Sequence, residues 1–267
     1  MGSIDLMSTV HSKTHRAGRS FVVLGVLLFV LTGCGAAGVA QSSLVTSSDI
    51  DGSGDATATA EAEEPAAEAA GCPATPAEMP AGAASAEIAD VDGDGENDTE
   101  WYSEASSPFT YGITTASGAT HTLTDDLAGP GTHSGWTATL HNGVVVTVLD
   151  DGRSASLHAF VDCEYVTPIG VDGRPYTFDM QNLRGNGTGV GCLEVEGGLE
   201  LNGLQVAEKH GDTYALMATG ITVSENGLSA MNGYTAVSGS VPEDDRRVSA
   251  AQTSSCANAA VVSTSGH

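Results

Sequence analysis

The sequence predicts an all-β, antiparallel domain carried on a disordered stalk. Three observations lead there. The apolar residues between about 86 and 240 fall in short runs broken by Gly, Asn and Asp, as turn-rich strands require. No stretch of that region carries a long apolar stripe at helical period with caps. With 34 glycines and aromatic residues at only 5%, a core must be built mainly from Val, Leu, Ile and Ala.

The chain opens with Lys13, Arg16 and Arg19 ahead of an apolar run over residues 21–32. Basic residues before a short apolar core form the pattern of a secretory signal. A spanning helix needs about 20 apolar residues, so this run is short for a permanent anchor. It ends in Leu31-Thr32-Gly33-Cys34, which resembles the lipobox of bacterial lipoproteins. That resemblance implies cleavage after Gly33, a diacylglyceryl group on Cys34, and a protein held on the extracytoplasmic face of the cell membrane. Two acyl chains give the stable anchoring that one does not. An ordinary secretory signal cleaved beyond Gly35 is the alternative.

Residues 34–85 are dominated by Ala, Ser, Thr, Glu and Gly, with Pro65, Pro73, Pro76 and Pro80 among them. Such a segment has too little large apolar surface to offset the entropy of ordering it, so a disordered linker is expected. The domain is expected over residues 86–240, and a polar flexible tail over 241–267. Within the domain, Asn142-Gly143 separates a run at 136–140 from one at 144–149, a hairpin signal. Asp151-Gly152 ahead of 153–161, and Glu225-Asn226-Gly227 between 214–223 and 228–237, repeat that logic.

Removing residues 1–33 takes away three of nine basic and one of 34 acidic residues, leaving a formal charge of −27. A field of that sign repels phosphates, which excludes nucleic acid as a partner and leaves membrane attachment to the lipid on Cys34. An envelope protein or a polysaccharide is the expected kind of partner. Cys72, Cys163, Cys192 and Cys256 are an even number in an exported chain and imply two disulfides. Three pairings are possible. Cys163 with Cys192 and Cys72 with Cys256 is favoured, because the first two lie in one continuous folded segment.

The segment over residues 90–98 carries the most chemical information. Asp90, Asp92, Asp94 and Asp98 occupy positions 1, 3, 5 and 9 of a loop that turns at Gly95 in position 6. Four carboxylates so spaced converge on one centre, and Glu96 at position 7 offers its backbone carbonyl. Calcium takes six to eight oxygen ligands in flexible geometry, so calcium is the expected ion. Position 12 is Trp101, not the bidentate glutamate of an EF-hand, and residues 99–103 look like a strand. An acidic turn without metal is the alternative.

An Asp-rich loop running into a strand at 99–102 resembles the FG-GAP and VCBS-type repeats. That resemblance implies a propeller-like or repeat-derived β-domain, and 169–175 and 192–198 look like eroded copies that lack most of the aspartates. A whole propeller needs at least four blades, more than about 150 residues supply.

No catalytic constellation is expected. His121, His133, His141 and His158 match no paired metal spacing. Thr132-His133-Ser134 with Asp125 and Asp126 has the residue types of a hydrolase triad without a nucleophile elbow. Trp101, Tyr102, Trp136 and Tyr176 are expected in the core more than on a ligand platform. The leading functional expectation is therefore a calcium-stabilised binding or structural module of the envelope; the alternative is a secreted hydrolase acting on cell-wall or extracellular polymer.

Overall fold

The computed structural model describes residues 71–180 and 187–265. The signal segment 1–33, Cys34 and the first part of the linker lie outside the described residues. What is described is all-β with one short helix.

Three open sheets carry the fold. The first is the antiparallel meander β1 (Ala84–Ile88), β2 (Asp98–Ser103), β3 (Thr110–Thr114) and β4 (Thr120–Thr124). The second has β5 (Ser134–Thr139), β6 (Val145–Asp150), β7 (Ser154–Val161) and β8 (Glu164–Val166) in order, with β9 (Thr177–Asp179) also on β7. The third consists of β10 (Gly187–Val195), β11 (Gly198–His210), β12 (Thr213–Val223) and β13 (Ala230–Pro242). After α1 (Arg246–Ala250), β14 (Ser254–Cys256) joins the third sheet in parallel with β10, and β15 (Val262–Ser263) closes onto β5.

The second sheet lies between the other two. Alternate residues of β6 point to opposite faces. Val146 and Val148 join Trp136, Leu157, Leu201 and Ile221 in a core shared with the third sheet. Leu149 packs with Tyr102, Tyr111 and Ile113 of the first. Every residue of β6 is consequently buried, which is why the run at 144–149 is almost continuously apolar instead of alternating. Both turns flanking β6 form where expected, with Gly143 and Gly152 at φ 81° each, a region that an L side chain rarely adopts.

Three expectations are corrected. The linker does not extend to residue 85: Cys72 is 2% exposed, and the Thr75 hydroxyl accepts from the Thr120 N–H at 2.9 Å. The segment 241–265 is no flexible tail, since Val241, Val248, Cys256 and Val262 are all buried. Small residues suffice there because the strands they form are two or three residues long and slot against existing sheets.

The disulfides also differ from the favoured pairing. They join Cys72 to Cys163 and Cys192 to Cys256. Cys192 and Cys256 are direct neighbours in the parallel β10–β14 register. Cys163 sits in the β7–β8 turn, where Cys72 packs close to Phe160 and Val145. Sequence proximity misled because residues 163 and 192 belong to different sheets.

Candidate functional site

The acidic loop is the connection between β1 and β2, and its carboxylates organise its own backbone. Asp90 Oδ1 accepts from the Gly93 N–H at 2.6 Å and the Asp92 N–H at 3.2 Å, while Oδ2 accepts from the Gly95 N–H at 2.9 Å. Gly93 and Gly95 both have positive φ, which lets the chain fold around that carboxylate.

Two further aspartates tie the loop to its surroundings. Asp92 Oδ2 accepts from the Cys72 N–H at 2.7 Å and from the Ser117 hydroxyl at 2.8 Å. Asp98, 1% exposed, accepts from the Val91 N–H at 2.7 Å and the Ala116 N–H at 2.9 Å. The loop thereby joins the Cys72 segment to the β3–β4 turn. Gly71 passes so close that a Cβ there would lie 2.6 Å from Asp92 Oδ2.

Asp90, Asp92 and Asp98 each present one oxygen, and these oxygens lie within 4.8 Å of one another. Asp94 stands outside the triad; its Oδ1 accepts from the Glu96 N–H at 2.8 Å. Glu96 is exposed. Oxygens bound to calcium at about 2.3–2.6 Å lie at most about 5 Å apart, so the triad is compact enough to share one ion. Among the described residues no basic side chain pairs with these carboxylates.

The electrostatics follow from the burial. Burial and the neighbouring charges of Asp92 and Asp94 hold the Asp98 carboxyl above the usual carboxylate range, against the pull of the Val91 and Ala116 N–H groups. Burial pushes Asp92 the same way, but hydrogen bonds from Cys72, Ser117 and Asp94 outweigh it and leave Asp92 lowered.

A second polar cluster lies behind β2. His133, 4% exposed, directs Nδ1 to Asp125 Oδ2 and Nε2 to the Gly129 carbonyl at 2.9 Å. The Tyr102 hydroxyl donates to the same Asp125 oxygen. Asp151 accepts from the Gly129 N–H at 2.6 Å. Asp125 and His133 do meet, but the ring nitrogen a serine nucleophile would need is occupied by Gly129, so Ser134 completes no triad. The proximity of Asp125 and His133 in sequence was the one available signal for this cluster.

The remaining histidines are dispersed. His121 stacks edge-on against Phe160, His141 faces the Leu199 carbonyl at 3.2 Å, and His158 faces Ser156 Oγ at 3.1 Å. Trp101, Tyr102 and Trp136 are buried as expected. Tyr176 is half-buried, with its hydroxyl 2.5 Å from Asn232 Oδ1. The segments 169–175 and 192–198 form simple turns: Gly170 N–H donates to the Arg174 carbonyl at 2.8 Å, and 195–198 is the β10–β11 hairpin turn. No protein family, curated protein or solved structure matches this chain.

Proposed function

We propose that this chain is a lipid-anchored extracytoplasmic β-domain, stabilised by calcium, that acts as a binding or structural module of the cell envelope. The convergence of Asp90, Asp92 and Asp98 oxygens within 4.8 Å carries the calcium reading. These three residues supply side-chain oxygens, and Asp94 and the Glu96 carbonyl complete the shell from the outer side of the loop. A bound divalent ion offsets the mutual repulsion of the carboxylates and fixes the β1–β2 connection against the β3–β4 turn.

Two disulfides support an oxidising compartment. The lipobox-like Leu31-Thr32-Gly33-Cys34 supports the anchor. The four-stranded meander with the acidic loop in its first connection supports a repeat-derived, blade-like origin for the first sheet.

Calorimetric titration with calcium after chelator treatment tests the site, followed by thermal melts with and without the ion. One saturable site and a higher melting temperature in calcium are expected, with Asp92→Ala losing the calcium-dependent part. Equal melting temperatures in calcium and chelator overturn the calcium reading. Mass spectrometry of the mature N-terminal peptide tests the anchor: two or three acyl chains on Cys34 support it, and an unmodified N-terminus overturns it.

A further inference from the structure

We propose that the cleft where the three sheets meet, beside the acidic loop, binds a small aliphatic polyamine. The cleft has a volume of about 520 Å³, within the range of small-molecule sites. This inference rests on the binding-module reading and names the ligand class, but it does not depend on calcium.

The lining decides the chemistry. The floor is aliphatic, with Ile88 from β1, Ala138 from β5 and Leu199 from β11 contributing. The polar side chains are Thr137 and Thr139 of β5, Asn97 and Asn258, and two carboxylates, Glu87 and Glu194. Glu87 Oε1 accepts from the Asn97 amide at 2.9 Å, which orients both groups. Among the described residues Glu194 and Asn258 make no side-chain hydrogen bond, so their acceptors remain available to a ligand.

No Lys or Arg lines the cleft. An anionic ligand therefore meets two carboxylates and the nearby acidic loop without a counter-charge, and is excluded by repulsion. No aromatic ring lines it either, so a sugar finds no flat apolar surface on which to stack. A methylene chain on the aliphatic floor with ammonium groups donating to Glu87 and Glu194 satisfies both halves of the lining.

Another part of the lining, residues 257–260, is a constrained turn. Ala257 holds φ 46°, the left-handed region that non-glycine residues seldom occupy. It is fixed there by the disulfide at Cys256 and by the Ala259 N–H donating to the Cys256 carbonyl at 2.7 Å. That turn is preformed, which lowers the ordering cost of binding.

The test is calorimetric titration of the full-length chain in neutral detergent with spermidine, with calcium present and again in chelator. Saturable binding at one site is expected in wild type. Glu87→Gln with Glu194→Gln weakens it at least tenfold, whereas Asp172→Asn with Asp244→Asn, which removes the same charge outside the cleft, changes it less than twofold. No saturable binding, or equal weakening in both double variants, overturns the proposal. A calcium titration of the same samples separates the two readings. Calcium binding without spermidine binding refutes the cleft ligand alone, and spermidine binding without calcium binding refutes the metal site alone.

Discussion

Replacing His133 with alanine tests whether the cluster behind β2 holds the fold together. Both ring nitrogens of His133 face acceptors, Asp125 Oδ2 and the Gly129 carbonyl, an arrangement in which the protonated ring donates to both. Its removal leaves Asp125, 2% exposed, with the Tyr102 hydroxyl and the Leu127 N–H as remaining donors. Breaking a buried pair from one side costs about 3–5 kcal/mol. For a domain of this size that is a fall in melting temperature of about 6–20 °C. The pH dependence supplies a sharper criterion. Burial disfavours the charged ring, but the bonds to Asp125 and Gly129 and the charges of Asp125 and Asp151 outweigh it, so the His133 pKa is raised. A raised folded-state pKa contributes stability that is complete below the ordinary value of about 6.5 and is lost as pH rises through the folded value. The wild-type advantage over His133→Ala is therefore largest near pH 6 and shrinks towards pH 9. Denaturant unfolding under non-reducing conditions measures both quantities. A loss below about 1 kcal/mol, or parallel pH profiles, refutes the assignment of a buried ion pair.

Three other perturbations follow from the same structure. Asp98→Ala leaves the Val91 and Ala116 N–H groups without their acceptor, and is expected to cost about 2–4 kcal/mol in chelator as well as in calcium; thermal melts in both buffers separate this structural cost from the calcium-dependent part. Replacing Cys192 and Cys256 together by alanine opens a span of 64 residues, which lowers stability by about 4 kcal/mol on the chain-entropy account, measurable by denaturant unfolding. Gly112→Ala sets a Cβ 2.3 Å from the Trp101 ring and 2.7 Å from the His121 carbonyl; the overpacking is expected to cost about 1–3 kcal/mol and to shift the near-ultraviolet circular dichroism of Trp101.

Local features of the fold were legible in the sequence because local chemistry fixes them. Asn142-Gly143 and Asp151-Gly152 make tight turns whatever the rest of the chain does, and the acidic spacing from Asp90 to Asp98 brings three carboxylates together through the loop's own Asp-to-backbone bonds. Asp94 lies outside that triad, with its Oδ1 accepting from the Glu96 N–H. The long-range features were not legible. Cys256 lies 64 residues from its partner, and only the placement of β14 beside β10 determines that pairing. The segments at 71–83 and 251–263 looked disordered because composition measures apolar bulk. Their order comes instead from a disulfide, from short strand additions and from hydrogen bonds such as Trp136 Nε1 to Ser254 Oγ at 2.8 Å.

The two faces of the middle sheet explain how so uniform a set of valines and alanines selects one arrangement. Towards the third sheet the contact is a broad aliphatic core around Val146, Val148, Leu157 and Leu201. Towards the first sheet it is interrupted by a chain of buried polar groups. Glu100 Oε2 accepts from the Tyr111 hydroxyl at 2.5 Å, that hydroxyl meets Thr137 Oγ1 at 2.8 Å, and Thr137 meets Thr147 at 2.8 Å. Burial pushes the Glu100 carboxyl up to about 7, against the Tyr111 and Thr137 hydrogen bonds that lower it. A one-residue slip of β6 would exchange its faces, carrying Thr147 into the aliphatic core and a valine against Glu100 and Tyr111. Each displaced polar group then loses its partner in a dry environment, a penalty of about 1–3 kcal/mol apiece. The polar chain contributes specificity more than net stability: it disfavours the slipped register of β6, while within the first sheet the β2–β3 pairing, with Thr99 opposite Thr114, sets the acidic loop against the β3–β4 turn where its carboxylates find their donors.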